Sequence, residues 1–309
     1  MKENNMISRR GFVGGLGFGA MMTAASGCLG TRSGEKKVAF DPSLDYDVIQ
    51  REIDEVKGRD FQEYVKTGEV RFAALARLED AFERVLKEVK ETKVVDRPAV
   101  WYMYNMGVVV KTKEALFSID LMHRRATEMV PLLDFALITH NHCDHYSRDF
   151  YEAMDGAGKT VINNFECNYG VEDWFKDGGY THGVKVFKIK DVEIKTGITD
   201  HNPYLIDFTS TFEIKVGDFR IFHTGDCASL DKINPEMSPD LWFVHPGCWL
   251  KVPEGYCKFK PKLTVIGHLN ELGHDRWRFP WQYGLDWKAK VEEVGGKAIV
   301  PTWGVRVSG

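Results

Sequence analysis

The pattern of hydrophobic and polar positions divides the chain into a helical N-terminal part and a longer, strand-rich part. Between residues 71 and 93, apolar side chains recur at steps of three and four, which is typical of a helix with one buried face. A shorter helix is predicted at residues 46–57. From Ala99 onward the pattern changes to short β-branched and aromatic runs separated by turns rich in Gly and Lys, which indicates strands.

The strand-rich part alternates between the two kinds of element. Strands are predicted at residues 100–105, 107–112, 115–120, 135–139, 159–163, 184–189, 192–197, 208–216, 219–224, 241–244, 263–267 and 297–301. Helices are predicted at residues 147–154, 171–176 and 286–294. This alternation favours one α/β domain over residues 99–309. A linker with a helical extension, residues 29–98, precedes it.

The first 28 residues have the pattern of a signal peptide. The pair Arg9 and Arg10 precedes an apolar, Gly-rich run that is shorter than a membrane-spanning helix requires. The sequence Ser-Arg-Arg-Gly-Phe-Val at 8–13 resembles the twin-arginine export motif. The sequence Ala-Ser-Gly-Cys ending at Cys28 resembles a lipoprotein cleavage site, with Ala25 where Leu is usual. We therefore expect export to the periplasm or cell envelope, and a lipid anchor on Cys28; a chance basic segment is the alternative.

Composition excludes several classes of protein. The 309 residues are 43% apolar and 28% charged, as in ordinary globular proteins. A net charge of −4 provides no basic surface for a nucleic acid, so no nucleic-acid partner is expected. The six cysteines form no paired Cys-x-x-Cys motifs. The sequence also lacks Gly-x-Ser-x-Gly, Walker A and Gly-x-Gly-x-x-Gly motifs, and no serine hydrolase of that type, nucleotide triphosphatase or dinucleotide enzyme is indicated.

One short segment concentrates residues that bind metals. His140, His142, Asp144 and His145 lie within six positions and follow directly on an apolar strand that begins at Phe135. Imidazole and carboxylate are common ligands of zinc and similar divalent ions, and a loop at a strand end lets neighbouring side chains converge. The segment therefore predicts a metal site.

The spacing His-x-His-x-Asp-His at 140–145 resembles the signature of the metallo-β-lactamase superfamily, whose members share a four-layer αββα sandwich. In that superfamily a strand ending in Asp precedes the signature, and a separate His, an Asp after a strand and a final His follow it. Residues of these types occur here in the same order: Asp120, the cluster at 140–145, His201, Asp226 and His268.

The resemblance implies a role for each of these residues. His140, His142 and His201 would hold one of two divalent metal ions, Asp144, His145 and His268 would hold the second, and Asp226 would bridge them. Zinc is expected, with manganese or iron as alternatives. Asp120 would orient a ligand through hydrogen bonds. His182 competes with His201, and His274 competes with His268; His268 is preferred because it follows a strand.

A pair of metal ions sharing Asp226 would lower the pKa of a bridging water and produce a hydroxide nucleophile. The expected reaction is hydrolysis of a lactone, ester or phosphodiester in a small or lipid-like substrate. Asp144, Asp226 and His245 are the predicted catalytic residues. His245, His223 and Tyr204 could line the pocket as an acid or hydrogen-bond donor, and a structural role is the alternative for each. The later motifs resemble the branch that contains L-ascorbate-6-phosphate lactonase and N-acyl-phosphatidylethanolamine phospholipase D. The segments at Cys227 and His245 depart from that branch.

Several alternatives remain open at this stage. The chain could be a noncatalytic metal-binding surface lipoprotein, or a metallo-phosphodiesterase or nuclease of the same fold. Cys248 could pair with Cys257, and Cys143 could approach Cys227, unless all are reduced. An aromatic group near the C-terminus could form a substrate wall or a packed cap: Trp277, Phe279, Pro280, Trp281, Tyr283 and Trp287. The sequence specifies no oligomeric state.

Overall fold

The computed structural model describes residues 45–163, residue 165 and residues 184–307. The predicted signal peptide, its twin-arginine motif and Cys28 lie outside the described residues. So do Cys167, His182 and the helix predicted at 171–176.

Three helices precede the first strand: α1 (Tyr46–Glu55), α2 (Gly58–Thr67) and α3 (Ala73–Glu91). The Asp45 carboxylate caps α1 by accepting hydrogen bonds from the backbone N–H groups of Asp47 and Val48. The helix α2 was not predicted; its ten residues are mostly polar, and only Gly58 and Tyr64 are buried. It ends at Gly68, which has a φ of 76° and closes the helix in the left-handed conformation.

The first sheet, sheet A, has six strands in the order β13-β1-β2-β3-β4-β5. These strands are β1 (Ala99–Tyr102), β2 (Val108–Lys111), β3 (Leu116–Ile119), β4 (Phe135–Leu137), β5 (Thr160–Ile162) and β13 (Val305–Val307). The strands β3, β4 and β5 run parallel, and α4 (Arg148–Gly156) connects β4 to β5. The carboxyl ends of β3 and β4 therefore open at the same edge of sheet A.

The second sheet, sheet B, has seven strands in the order β12-β11-β10-β9-β8-β7-β6. They are β6 (Val186–Ile189), β7 (Val192–Thr199), β8 (Thr209–Val216), β9 (Phe219–His223), β10 (Leu241–Val244), β11 (Leu263–Ile266) and β12 (Ala298–Ile299). From β9 to β12 the strands are parallel. The connections between them contain α5 (Val252–Phe259) and α6 (Trp281–Glu293).

Alternating side chains of both sheets form the layers. Phe117 and Phe135 stack on the inner face of sheet A and belong to the same core as Phe212 of sheet B. On the outer face of sheet A, Trp101 belongs to a second core with Phe82 of α3 and other side chains of α3 and α4. On the outer face of sheet B, Trp242 packs edge-on against Phe259 of α5. Helix, sheet, sheet and helix layers follow one another, which confirms the predicted four-layer αββα sandwich.

The helices between residues 46 and 91, predicted as an extension, pack directly on this sandwich. Phe82, Val85 and Val89 of α3 are buried against the outer side of sheet A, and Ile49 and Ile53 of α1 belong to the larger core. These helices therefore provide the helical layer on one side. Where the hydrolase domain begins along the chain stays a prediction.

Several strands end earlier than predicted, and the reason is local. The strand predicted at 135–139 stops at Leu137 because the backbone N–H and the hydroxyl of Thr139 bond to Asp120. The helix predicted at 286–294 begins already at Trp281, after Pro280. Helix α5 and strand β13 were not predicted. Within the described parts of the chain, none of the helices is long and apolar enough to cross a membrane.

Candidate metal centre

The candidate ligands leave the sandwich at the carboxyl ends of strands. Asp120 follows β3, the cluster at 140–145 follows β4, and His201 follows β7. Asp226 and His268 follow β9 and β11, which flank β10 in sheet B. Because parallel strands present their carboxyl ends at one edge, segments distant in sequence meet in one place.

Two groups of potential ligands form at this edge. The ring nitrogens of His140, His142 and His201 lie within 4.8 Å of one another. The ligand atoms of Asp144, His145 and His268 form a second group of the same size. Asp226 joins a third group with His140 and His145, so its carboxylate lies between the two sets. The structure brings together all seven residues predicted as ligands; their binding of metal stays a prediction.

Asp120 determines the orientation of His145. Its Oδ2 lies 2.9 Å from His145 Nδ1, and both side chains are fully buried. Because a carboxylate only accepts, Nδ1 donates its proton to Asp120, and Nε2 is the ring nitrogen turned towards the centre. That Nε2 faces Asp226, 3.2 Å from Oδ1. Asp120 is therefore placed as the sequence predicted, behind a ligand and hydrogen-bonded to it.

Thr139 orients His140 through the same carboxylate. The Thr139 hydroxyl donates to Asp120 Oδ2 at 2.6 Å and lies 3.0 Å from His140 Nδ1. With its only proton given to Asp120, this hydroxyl accepts from His140 Nδ1–H. The lone pair of His140 is then on Nε2, which is buried and has no hydrogen-bond partner.

Unsatisfied buried atoms show that the residues fit a metal centre. His140 Nε2 and His201 Nε2 lack hydrogen-bond partners although water does not reach them, and Asp226 Oδ1 faces His145 Nε2 at 3.2 Å. Such groups are rare in folded proteins, because each costs free energy when buried alone. His145 Nε2 and His268 Nε2 also face each other at 3.2 Å. Divalent cations between these atoms would satisfy all of them.

The charges of the centre favour cations in the same way. Burial opposes ionisation of Asp144 and Asp226, but the charge of neighbouring His145 holds the pKa of both carboxyls well below the usual range. Burial also opposes protonation of His268, yet Asp226 and Asp144 raise its pKa to about 9. Burial lowers the pKa of His142 to about 4. In the metal-free protein, protons on the histidines of the second set offset the carboxylates.

A cavity of about 500 Å³ opens over the centre. One side consists of the candidate ligands, and the other side contains Trp249, Trp277 and Phe279. Trp249 and Trp277 are 68% and 66% exposed, whereas Trp281 is only 2% exposed in the core. The C-terminal aromatic group is therefore divided: Trp277 and Phe279 line the cavity, Trp281 packs inside the fold, and a role as a substrate wall stays a prediction.

The remaining predicted site residues divide into three cases. His245 lines the cavity, and its ring stacks on His268 with centroids 3.8 Å apart. The pocket prediction is wrong for His223, which is buried and donates from Nε2 to the carbonyl of Met106 at 3.0 Å. It is also wrong for Tyr204, which is 93% exposed and does not line the cavity. His274 lines the cavity but bonds to Glu271, 2.7 Å away, and His268 takes the place among the ligands.

Sequence reasoning missed Asn105, in the turn between β1 and β2. Its Nδ2 donates to the backbone carbonyl of Asp144 at 2.9 Å and to Oδ2 of Asp144 at 3.3 Å. The backbone carbonyl of Asn105 accepts a hydrogen bond from the backbone N–H of His268 at 3.1 Å. Asn105 therefore connects two candidate ligands. Its φ of 60° is tolerated by Asn, and the sequence Tyr-Asn-Met-Gly was the available turn signal.

Cys248 was expected to be a reduced core residue or a disulfide partner of Cys257, but the structure places it among the candidate metal ligands. Its thiol belongs to a group with His201 and Asp226. Cys143, Cys227, Cys248 and Cys257 are all free thiols. The suggested pairs Cys248–Cys257 and Cys143–Cys227 are therefore not formed. Cys227 and Cys248 are buried, whereas Cys143 and Cys257 are exposed.

Comparisons with known proteins agree with this fold. No protein-family model matches the chain. The chain is 26% identical over 190 residues to the UPF0173 metal-dependent hydrolase NEQ378 of Nanoarchaeum equitans, covering 56% of this chain and 84% of the relative. The fold of this chain is similar to that of the isothiocyanate hydrolase of Delia radicum gut bacteria, with a TM-score of 0.51 at 12% identity. That comparison covers 69% of this chain and 98% of the isothiocyanate hydrolase. A possible metal-dependent hydrolase of Veillonella parvula has a TM-score of 0.50 at 10% identity, with coverage of 68% and 98%.

The two stacked sheets with outer helices are the metallo-β-lactamase fold. A His/Asp cluster lies at the strand ends of this fold, and the archaeal relative is named a metal-dependent hydrolase. The chain therefore has the metallo-β-lactamase fold and is similar in sequence to a metal-dependent hydrolase.

Proposed function

We propose that the chain is a dinuclear metal hydrolase that cleaves an uncharged ester or lactone. The observation that carries this proposal is the pair of ligand sets, His140/His142/His201 and Asp144/His145/His268, with the Asp226 carboxylate between them. This arrangement supports two ions that share one carboxylate ligand. Zinc suits a set of imidazoles and carboxylates, with manganese or iron as alternatives.

When bound, divalent ions supply Lewis acidity and lower the pKa of water towards neutrality. The residues of the chain provide orientation. Asp120 and Thr139 hold His145 and His140 with Nε2 towards the centre, and Asn105 holds Asp144. Because these partners are buried and fully packed, little reorganisation is needed when a substrate binds.

His245 is the proposed hydrogen-bond donor to a substrate oxygen in the cavity. Its Nδ1 accepts from the backbone N–H of Gly247 at 3.3 Å, so the proton of the neutral ring is on Nε2. Burial lowers the pKa of His245 well below its usual value, which keeps the ring neutral. Its position beside His268 in the cavity places it next to any group bound over the centre.

The lining of the cavity supports an uncharged substrate. Among the described residues, no Lys or Arg lines it, whereas two exposed tryptophans and Phe279 do. A phosphodiester carries a negative charge, and the described lining offers no Lys or Arg to pair with it. An ester or lactone needs only polarisation of its carbonyl oxygen, and its apolar part would pack on the aromatic side chains.

Hydrolysis of an aliphatic lactone and of an activated phosphodiester, compared side by side with the zinc-loaded chain, tests this proposal. Lactone turnover that is lost in Asp226→Asn is expected, while Asp134→Asn, a carboxylate outside the centre, should keep it. Selective phosphodiester cleavage would instead support the phosphodiesterase alternative. Bound metal with no hydrolysis of any ester, lactone or phosphodiester would support the noncatalytic lipoprotein.

We also propose that the twin-arginine pathway exports the chain and that Cys28 is lipidated. The support is the sequence of residues 1–28 alone. Replacing Arg9 and Arg10 together by Lys should leave the chain in the cytoplasmic fraction of its host. Cys28→Ser should abolish incorporation of labelled fatty acid but not export. Unchanged fractionation of the Arg9/Arg10 variant would contradict the export proposal.

A further inference from the structure

Cys248 reaches the metal centre from the strand between those that carry Asp226 and His268. It is the last residue of a short 3-10 turn, Pro246–Cys248, directly after β10. Because β10 lies between β9 and β11, a residue leaving its carboxyl end arrives between Asp226 and His268. Cys248 is only 6% exposed.

The turn that presents Cys248 is tight. A Cβ atom at Gly247 would lie 2.4 Å from a ring atom of Phe279, so only glycine fits there. Trp249 follows with a φ of 62° in the left-handed region. These constraints send His245 and Cys248 to the same side, into the cavity, and leave Trp249 exposed at its rim.

The thiol has the neighbours of a metal ligand. Cys248 Sγ, a carboxylate oxygen of Asp226 and a ring nitrogen of His201 all lie within 4.8 Å of one another. Ligand atoms that bind one tetrahedral zinc ion at about 2.0–2.3 Å lie about 3.3–3.8 Å apart, which falls within this 4.8 Å limit. His201 Nε2 is buried without a hydrogen-bond partner, and the Asp226 side chain is only 5% exposed. A thiol that served only as a core hydrophobe would be surrounded by aliphatic groups instead.

We propose that the thiolate of Cys248 is a ligand of the metal ion held by His201 and Asp226. This inference rests on the proposed metal centre and adds a sulfur ligand to it. On metal binding the S–H bond breaks, a sulfur–metal bond forms, and the proton is released to solvent. A sulfur ligand shifts the preference of the centre towards zinc, iron or cobalt and away from magnesium and manganese.

The other described thiols provide matched controls. Cys143 is exposed and lines the same cavity, so it is the rival ligand. Cys227 is buried like Cys248, but its sulfur lies 3.2 Å from Thr199 Oγ1 and is absent from the ligand groups of the described residues. Cys257 is exposed on α5 and does not line the cavity.

Cobalt(II) replacement followed by absorption spectroscopy tests the inference, because a cobalt–thiolate bond gives an intense charge-transfer band in the near ultraviolet. We expect this band in the cobalt-loaded chain, its loss in Cys248→Ser, and its retention in Cys143→Ser, Cys227→Ser and Cys257→Ser. Visible ligand-field bands report cobalt bound by nitrogen and oxygen. Ligand-field bands without the sulfur band would overturn the sulfur ligand and leave the proposed function intact.

Two further outcomes would also count against it. Loss of the band in Cys143→Ser with retention in Cys248→Ser would assign the sulfur to the rival thiol. Absence of any cobalt binding would contradict the proposed metal centre itself. If Cys248→Ser does not fold, alkylation of the unsubstituted chain replaces it: bound zinc should protect Cys248 but not Cys257, as mapped by mass spectrometry. Equal alkylation of Cys248 with and without zinc would contradict the inference.

Discussion

Asp120 Oδ2 lies 2.9 Å from His145 Nδ1 at the bottom of the centre, with both side chains excluded from water. The same carboxylate accepts two hydrogen bonds from Thr139, which in turn contacts His140. Asp120 is not a proposed metal ligand, but it orients one ligand of each set: His145 directly, and His140 through Thr139. The orientation of the ligands depends on it more than on any other single group.

Asp120→Asn should therefore weaken metal binding. The neutral amide accepts the hydrogen bond from His145 Nδ1 less strongly than the carboxylate does. We therefore expect metal affinity to fall by about 10- to 100-fold, as is typical when a residue that hydrogen-bonds a metal ligand is changed. Competition with a chromophoric chelator measures it. Asp134→Asn is the control, because its carboxylate caps the backbone N–H of Leu116 and pairs with Lys190 instead. Wild-type affinity in Asp120→Asn would show that the hydrogen bond does not tune the ligand.

Metal affinity should rise with pH. The carboxylates around His268 raise its pKa to about 9, so in the metal-free protein this ring is protonated at neutral pH. A metal ion must displace that proton. Below pH 9 the apparent affinity should fall by at least about tenfold per pH unit, and above it the dependence should flatten. Titrations at several pH values, corrected for protonation of the chelator, measure the slope. A flat profile between pH 6 and about 8 would contradict the assignment.

Trp277 should contribute to substrate binding and little to folding. It is 66% exposed at the cavity, so Trp277→Ala removes apolar surface that a substrate would cover. We expect KM for an apolar lactone to rise about tenfold with kcat unchanged, since such binding is equal in the ground and transition states. Tyr204→Ala, exposed but outside the cavity lining, should leave both constants unchanged. A fall in kcat with constant KM would place Trp277 in the chemistry instead.

Phe82 tests whether the N-terminal helices belong to the sandwich. It is fully buried between α3 and sheet A and stacks on His123 with ring centroids 4.1 Å apart. Phe82→Ala should lower the free energy of unfolding by about 3–5 kcal/mol, because it leaves a cavity. Lys87→Ala on the exposed side of α3 should change it by less than about 0.5 kcal/mol. Denaturant unfolding measures both values. Equal stability of the two variants would show that α3 does not belong to the core.

The fold could largely be predicted from the sequence because its signals are local. Alternation in the strands, the stripe of α3 and the dense cluster at 140–145 each lie within a few consecutive residues. The helix α2 escaped prediction because it is stabilised at a distance: the backbone N–H of Gly58 donates to Asp275 at 2.8 Å. The sequence of a polar ten-residue segment does not reveal a partner that lies more than 200 residues away, as Asp275 does from Gly58.

For the site, the order of motifs predicted which residues would meet, and the structure places those seven together. Asn105 and Cys248 could not be found in that way. Each acts through a turn whose geometry is decided by contacts far along the chain, as Gly247 against Phe279 shows. His223 misled the prediction for the opposite reason. It lies three residues before Asp226 but on the buried inner face of β9, bonded to Met106.

The metal content of the chain tests the central claim most directly. Equilibrium dialysis against zinc, followed by elemental analysis, should give two ions per chain. Asp226→Asn should bind fewer ions, because the Asp226 carboxylate lies against both ligand sets. Its metal affinity should fall by more than about 100-fold, the upper limit for changes to residues that hydrogen-bond a ligand. A folded chain that binds one ion or none, or that keeps two ions with equal affinity in Asp226→Asn, would contradict the dinuclear centre.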